Sequence, residues 1–242
     1  MRGVGSGLPR LTPPAPGTVD VWWWTAEFLG AREDLVPVLD DQERGRLRRF
    51  RRRADAETFR SRHFGLRLLL AGYLDTSPAD LRLRPDACPV CGQAHGRPVI
   101  EPGADLEFSV SSARQVICCA VATTRVGVDV ERVPIPDVRA VLSLLNADDR
   151  GNIEALPDHQ RAEATTRCWV RSEAYLKGLG TGIARGLGET TVGVDDSRPA
   201  AVPGWTVRSL EAPEPFAAAL ACKGGSPHVV RRSLAAALDA GA

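Results

Sequence analysis

The chain has 242 residues with a formal net charge of +1, 43% hydrophobic and 25% charged residues. That length suits one large domain or two small ones with modest cores, and the near-neutral balance argues against bulk attraction to nucleic acid or a membrane surface. No apolar stretch approaches the ~20 residues of a membrane span and the N-terminus lacks the hydrophobic core of a signal peptide, so a cytoplasmic location is expected.

Residues 1–17, rich in Gly, Pro and Ala, predict a disordered leader. Residues 19–25 (VDVWWWT) predict a strand. From 39 to 74 the pattern turns helical, with a basic helix around Arg44 to Arg53 (RGRLRRFRRR) followed by a helix over 54–73. The arginine run competes as a nucleic-acid contact or a solvated surface, but its aromatic interleaving is sparse and no nucleic-acid motif accompanies it.

Cys88-Pro-Val-Cys91 with His95 supplies at most three metal ligands, and no second CxxC or His pair completes a tetrahedral site. A plain turn, a partial metal site and a redox pair all stay open there. Cys118, Cys119, Cys168 and Cys222 lie in apolar runs and read as small buried hydrophobes of a reducing compartment.

Gly96-Arg97-Pro98 closes a turn-rich stretch, and 106–121 predict two strands around a Ser-rich turn. A strand over 126–130, a helix over 138–145 and a longer helix over 162–179 follow. Further strands are expected at 190–194, 205–210 and 216–222, before an Arg/Ala-rich tail. This order argues for an α+β fold of two similar subdomains, each a small sheet packed on a long helix, with a cleft between them.

Two motifs carry the chemistry. In Gly127-Val-Asp-Val-Glu131, Asp129 and Glu131 project from one face of a strand. In Trp169-Val-Arg-Ser-Glu-Ala-Tyr-Leu-Lys177, Glu173 and Lys177 lie one above the other on a helix surface. Three carboxylates without Cys or His suit Mg²⁺, which leaves its other positions to water and substrate phosphates. Among 31 basic residues, Lys occurs only at Lys177 and Lys223, so a compact ammonium beside Glu173 stands out in an arginine-rich chain. An ordinary helix-surface salt bridge is the competing explanation.

These motifs, preceded by Phe108-Ser-Val-Ser111 and the Gly-Arg-Pro turn, resemble the 4′-phosphopantetheinyl transferases of the surfactin-synthetase-activating type. The resemblance spans roughly residues 20–222 and implies a pseudo-dimer whose halves, 18–122 and 123–242, bind coenzyme A and Mg²⁺ in their cleft. The implied reaction moves the phosphopantetheine arm of coenzyme A onto a serine of an apo acyl or peptidyl carrier protein, as in polyketide or nonribosomal peptide assembly. Adenosine 3′,5′-bisphosphate leaves.

By that resemblance Asp129, Glu131 and Glu173 are metal ligands, Glu173 is also the base, and Lys177 stabilises the leaving phosphate. Arg46, Gly96, Arg97, Ser111, Ser112 and Lys177 are expected to bind coenzyme A, with Arg62 and Arg67 as weaker candidates. A monomer without nucleic-acid or membrane partners is expected. Two positions depart from the family: Ser112 replaces a His near the coenzyme A phosphates, and Ser172 replaces a Lys, with Arg171 one residue earlier. These departures leave a non-catalytic coenzyme A or nucleotide-binding protein of the same fold as the alternative.

Overall fold

The computed structural model describes residues 8–182, 186–197 and 201–240. Residues 1–7 of the expected leader lie outside that set, but 8–17 are anchored: Leu8 is buried in a core cluster and the Leu11 N–H donates to the Gly72 carbonyl at 2.9 Å. Two leucines in the Pro-rich stretch supply apolar area that a disordered leader would leave in water.

Strand β1 (Thr18–Thr25) is buried on both faces. Its period of two sends Trp22 and Trp24 into one core cluster and Val19 and Val21 into another. Helices α1 (Ala26–Gly30), α2 (Asp41–Leu47) and α3 (Arg53–Leu74) follow. A capping box starts α2, with the Asp40 carboxylate accepting from the Glu43 N–H and the Glu43 carboxylate from the Asp40 N–H. The single basic helix expected around Arg44 to Arg53 is therefore two segments, α2 ending at Leu47 and α3 beginning at Arg53. Continuing the helix would stack like charges one turn apart, whereas the break lets Phe50 pack on Phe59 with ring centroids 5.2 Å apart.

The hairpin strands β2 (Arg82–Pro85) and β3 (Pro98–Glu101) precede β4 (Glu107–Ala113) and β5 (Val116–Ala122). Ser111 and Ser112, expected in a turn, lie within β4 opposite Cys118 and Ile117. The reversal falls instead at Arg114, which adopts a left-handed φ of 49°, and Gln115. After β6 (Val126–Arg132) come α4 (Val138–Leu144), α5 (Ala147–Glu154) and the 22-residue α6 (Asp158–Leu179). The strand expected at 190–194 does not form. The Asp149 carboxylate takes the N–H groups of Val192 and Gly193 at 2.9 and 3.0 Å, satisfying donors that a sheet would otherwise use. Strands β7 (Trp205–Leu210), β8 (Phe216–Lys223) and β9 (His228–Ser233) and helix α7 (Leu234–Asp239) complete the chain.

The fold is mixed α+β. One sheet has the order β4-β5-β1-β9 and the other β6-β8-β7. In each, the first strand leads through helices to a hairpin whose second strand returns antiparallel to it, β5 beside β1 and β8 beside β6. The second sequence half does not keep to its own sheet, because β9 pairs in parallel with β1 in the first. The Arg/Ala-rich tail is thus structural: Leu234 is fully buried, and the Arg232 guanidinium meets the buried Asp20 carboxylate at 2.8 Å.

Two contacts position the site. Gly127 on β6 lies against α6 so closely that a Cβ there would sit 2.0 Å from the Ala174 carbonyl oxygen and 2.4 Å from the Gly178 nitrogen. The edge strand β4 covers the free edge of β6, with the Ser109 hydroxyl accepting from the Val128 N–H at 3.1 Å.

Candidate functional site

Alternation along β6 turns Val126, Val128 and Val130 into the core between the sheets. Gly127, Asp129 and Glu131 face the other way, and the Gly127 contact brings that face against α6, which carries Glu173 and Lys177. A glycine inside a valine-rich strand marks such an approach, a signal the motif itself contained.

Asp129 is the centre of this cluster and is 3% exposed. Its Oδ1 accepts from the Lys177 ammonium at 2.6 Å and from the Ser111 hydroxyl at 2.7 Å, while Lys177 also donates to the Ser111 oxygen at 2.9 Å. Its Oδ2 is buried without a hydrogen-bond partner. Burial, aided by the negative charges of Asp129 and Glu173, pushes the Glu131 carboxyl up to about 7. Burial, followed by the Asp129 charge, likewise raises Glu173. An orphaned carboxylate oxygen beside two carboxyls that resist ionisation is a donor set that fits a hard divalent cation. The side chains are not drawn together into a tight cage, since among the described residues only Cys88, Cys91 and His95 have ligand atoms within 4.8 Å of one another.

Lys177 also faces a cavity of about 1170 Å³ whose wall includes Arg46, Arg62, Gly96 and Arg97. Four of the six residues expected to bind coenzyme A therefore line one space: Arg46, Gly96, Arg97 and Lys177. Ser111 instead bridges Asp129 and Lys177, and Ser112 is absent from the described wall. Arg46 and Arg62 lie over the Phe59 ring at 5.6 and 5.9 Å. Burial and the neighbouring Arg46 lower the Arg62 pKa, and the Glu43 charge offsets this only in part. Arg97 is held by an ion pair with Glu107.

The two remaining arginines of interest are structural. Arg67 is 1% exposed and holds Asp40 and Glu43 at 2.8 Å each, with a third bond to the Leu81 carbonyl, so it is no solvated helix face. Arg171 is fully buried and ties α6 to Asp196, Val192 and Val207, pointing it away from the carboxylates; it does not stand in for the Lys replaced by Ser172. His63 and Arg49, also on the cavity wall, were not singled out from sequence, because only the folding of α2 onto α3 gathers them.

The sequence pattern of the 4′-phosphopantetheinyl transferase superfamily matches residues 125–221, the stretch that holds Asp129, Glu131, Glu173 and Lys177. The 4′-phosphopantetheinyl transferase HetI of Nostoc sp. is 29% identical over 203 residues, covering 79% of this chain and 81% of the relative. The similarity to these transferases thus reaches beyond the matched segment and along most of the chain. A 4′-phosphopantetheinyl transferase from Bacillus subtilis is 21% identical over 167 residues, covering 69% of this chain and 71% of the relative. The superfamily match stops short of α2 and α3, so the arginine wall of the cavity is seen through the geometry of this chain.

Proposed function

We propose that this protein transfers the 4′-phosphopantetheine arm of coenzyme A to a serine hydroxyl of an apo acyl or peptidyl carrier protein, with Mg²⁺, releasing adenosine 3′,5′-bisphosphate. The observation that carries this reading is the junction of the Asp129, Glu131, Glu173 and Lys177 cluster with a large cavity walled by Arg46, Arg62 and Arg97. A carboxylate cluster at one end and a guanidinium wall at the other suit a substrate with a pyrophosphate and a separate phosphate.

Asp129, Glu131 and Glu173 would hold Mg²⁺, with the unpartnered Asp129 Oδ2 as the position most in need of it. Bound there, the cation would neutralise charge on the pyrophosphate oxygens. Glu173 accepts the proton of the attacking serine, a role suited to a carboxyl whose pKa burial has raised. A bond forms between the serine oxygen and the phosphorus next to the pantetheine arm, and that phosphorus loses its bridging oxygen to the nucleotide. Lys177, held by Asp129 and Ser111 at the cavity edge, meets the charge that grows on the leaving phosphate. Arg46, Arg62 and Arg97 take the nucleotide phosphates, Arg97 by leaving Glu107.

The same reading makes the molecule a pseudo-dimer with its site in the cleft between the halves. The matching strand orders of the two sheets support this, with β9 exchanged into the first half. It is also a cytoplasmic monomer. Among the described residues no helix is long and apolar enough to cross a membrane, and Val90 and Leu144 are the exposed large hydrophobics.

The test is incubation with coenzyme A, Mg²⁺ and a panel of apo carrier domains, read by intact mass. Gain of one phosphopantetheine on a carrier, lost when Mg²⁺ is omitted, is the expected result. No gain on any carrier, with coenzyme A still bound, would favour a binding protein that has lost turnover.

A further inference from the structure

The loop between β2 and β3 is built around Cys88, Cys91 and His95, which the transferase chemistry does not use. Their ligand atoms lie within 4.8 Å of one another, and Cys91 Sγ is 2.9 Å from His95 Nε2. Local backbone bonds shape the arrangement: the Cys88 N–H donates to the Gln93 carbonyl and the Gly92 N–H to the Cys88 carbonyl, both at 2.8 Å. Gly92 takes a left-handed φ of 73°, which allows the chain to wrap back toward Cys88.

This loop has almost no apolar support of its own. Between residues 86 and 97 Cys88 is the buried side chain, while Val90 is 56% exposed. Ordering each backbone residue costs about 1–2 kcal/mol, so a loop with one buried side chain needs another source of stability. The loop also matters for the cavity, because it ends in Gly96 and Arg97 on the wall. Gly96 is pressed against the start of the loop, where a Cβ would sit 2.8 Å from the Asp86 carbonyl oxygen.

We propose that Cys88, Cys91 and His95 bind a zinc ion through three protein ligands, with the fourth position left to solvent, and that this ion pins the loop carrying Gly96 and Arg97 to the cavity wall. Two thiolates and an imidazole select a borderline-soft ion such as Zn²⁺ over Mg²⁺ or Ca²⁺. Around a tetrahedral zinc, sulfur and nitrogen ligands are separated by about 3.6–3.8 Å, so Cys91 and His95 need to part by less than ~1 Å. On binding, the two thiols lose their protons to solvent and the ion remains divalent, so no oxidant or reductant is required. A Cys88–Cys91 disulfide is the competing chemistry.

The experiment measures metal and needs neither coenzyme A nor a carrier, so it stands or falls independently of the transferase reading. Tag-free protein, reduced and reconstituted with ZnCl₂ and then freed of loose metal, is analysed for zinc by mass spectrometry. The expected result is about one zinc per chain, falling below about a tenth in Cys91→Ser and His95→Gln. These two exposed positions can be changed without touching the buried Cys88. Cobalt in place of zinc should give a thiolate charge-transfer band that Cys91→Ser removes. Hydrogen exchange over residues 86–97 should quicken when the zinc is stripped. Zinc below a tenth per chain in the reduced parent, zinc unchanged in both variants, or a disulfide that persists under reduction would overturn the site. Stoichiometric zinc with unchanged exchange would overturn the pinning.

Discussion

Helices α3 and α6 have the same length, 22 residues, and each buries an arginine completely within its own half, Arg67 in one and Arg171 in the other. They differ in what they send toward the cavity: α3 contributes Arg62 and His63, and α6 contributes Lys177, with Glu173 one turn before it. Similar scaffolds thus carry different chemistry, cations alone from α3 and, from α6, a lysine paired with the Asp129 carboxylate of β6. The two buried arginines, each satisfied by carbonyls and carboxylates, are structural ties, whereas Arg62 lies on the cavity wall beside Arg46 and is free to meet an anion.

The largest effect is expected where the carboxylate side depends on backbone contact. Gly127→Ala would drive a methyl into the Ala174 carbonyl, 2.0 Å away, and neither main-chain segment can swing aside. A loss of about 5 kcal/mol or more, seen as insoluble or unfolded protein in denaturant titration, is expected. A soluble variant with parent-like stability would show that β6 and α6 can separate, removing the argument for how their carboxylates meet.

Next is Asp129→Ala, which removes the central carboxylate while leaving the valine face of β6 intact. Carrier modification should fall on the order of a thousandfold at saturating Mg²⁺, with an unchanged circular dichroism spectrum. Near-parent turnover would take the metal site away from Asp129.

On the cationic side, Arg62→Ala should weaken coenzyme A binding about tenfold, near 1.4 kcal/mol, with kcat little changed. Isothermal titration and the split between KM and kcat check this. If kcat falls instead and affinity holds, Arg62 belongs with the reacting phosphates and the division between the two helices is wrong.

The smallest effect concerns His63. Burial, only partly offset by its bond to Glu43, lowers its pKa, so the folded state favours the neutral ring. The unfolded chain takes up its proton near pH 6.5, hence stability contributed by the neutral ring is present above that pH and declines as pH falls below it. Replacing His63 with Gln should flatten the loss of stability between about pH 6.5 and pH 5 by roughly 1 kcal/mol or less. A slope that stays the same would assign it to other groups.

The sequence by itself determined the mixed α+β class and the strand positions of β1, β6, β7 and β8, because their apolar runs and bounding turns are local. It also aligned the carboxylates within each element, alternation placing Asp129 and Glu131 on one face and helical spacing setting Glu173 beside Lys177, but the packing of β6 on α6 at Gly127 is what brings the two pairs together. Local pattern misplaced the Ser111–Ser112 turn and the strand at 190–194, since only strand register and the reach of Asp149 decide those backbones. Sequence ranked Arg62 and Arg67 together, and tertiary structure alone separated them: two carboxylates and two carbonyls close around Arg67, while Arg62 is left beside Arg46 on the cavity wall. Tertiary structure likewise decided that the tail after β8 would return beside β1, because an edge-strand partner for β1 is settled by the free hydrogen-bonding edge it offers, which no spacing within residues 224–240 encodes.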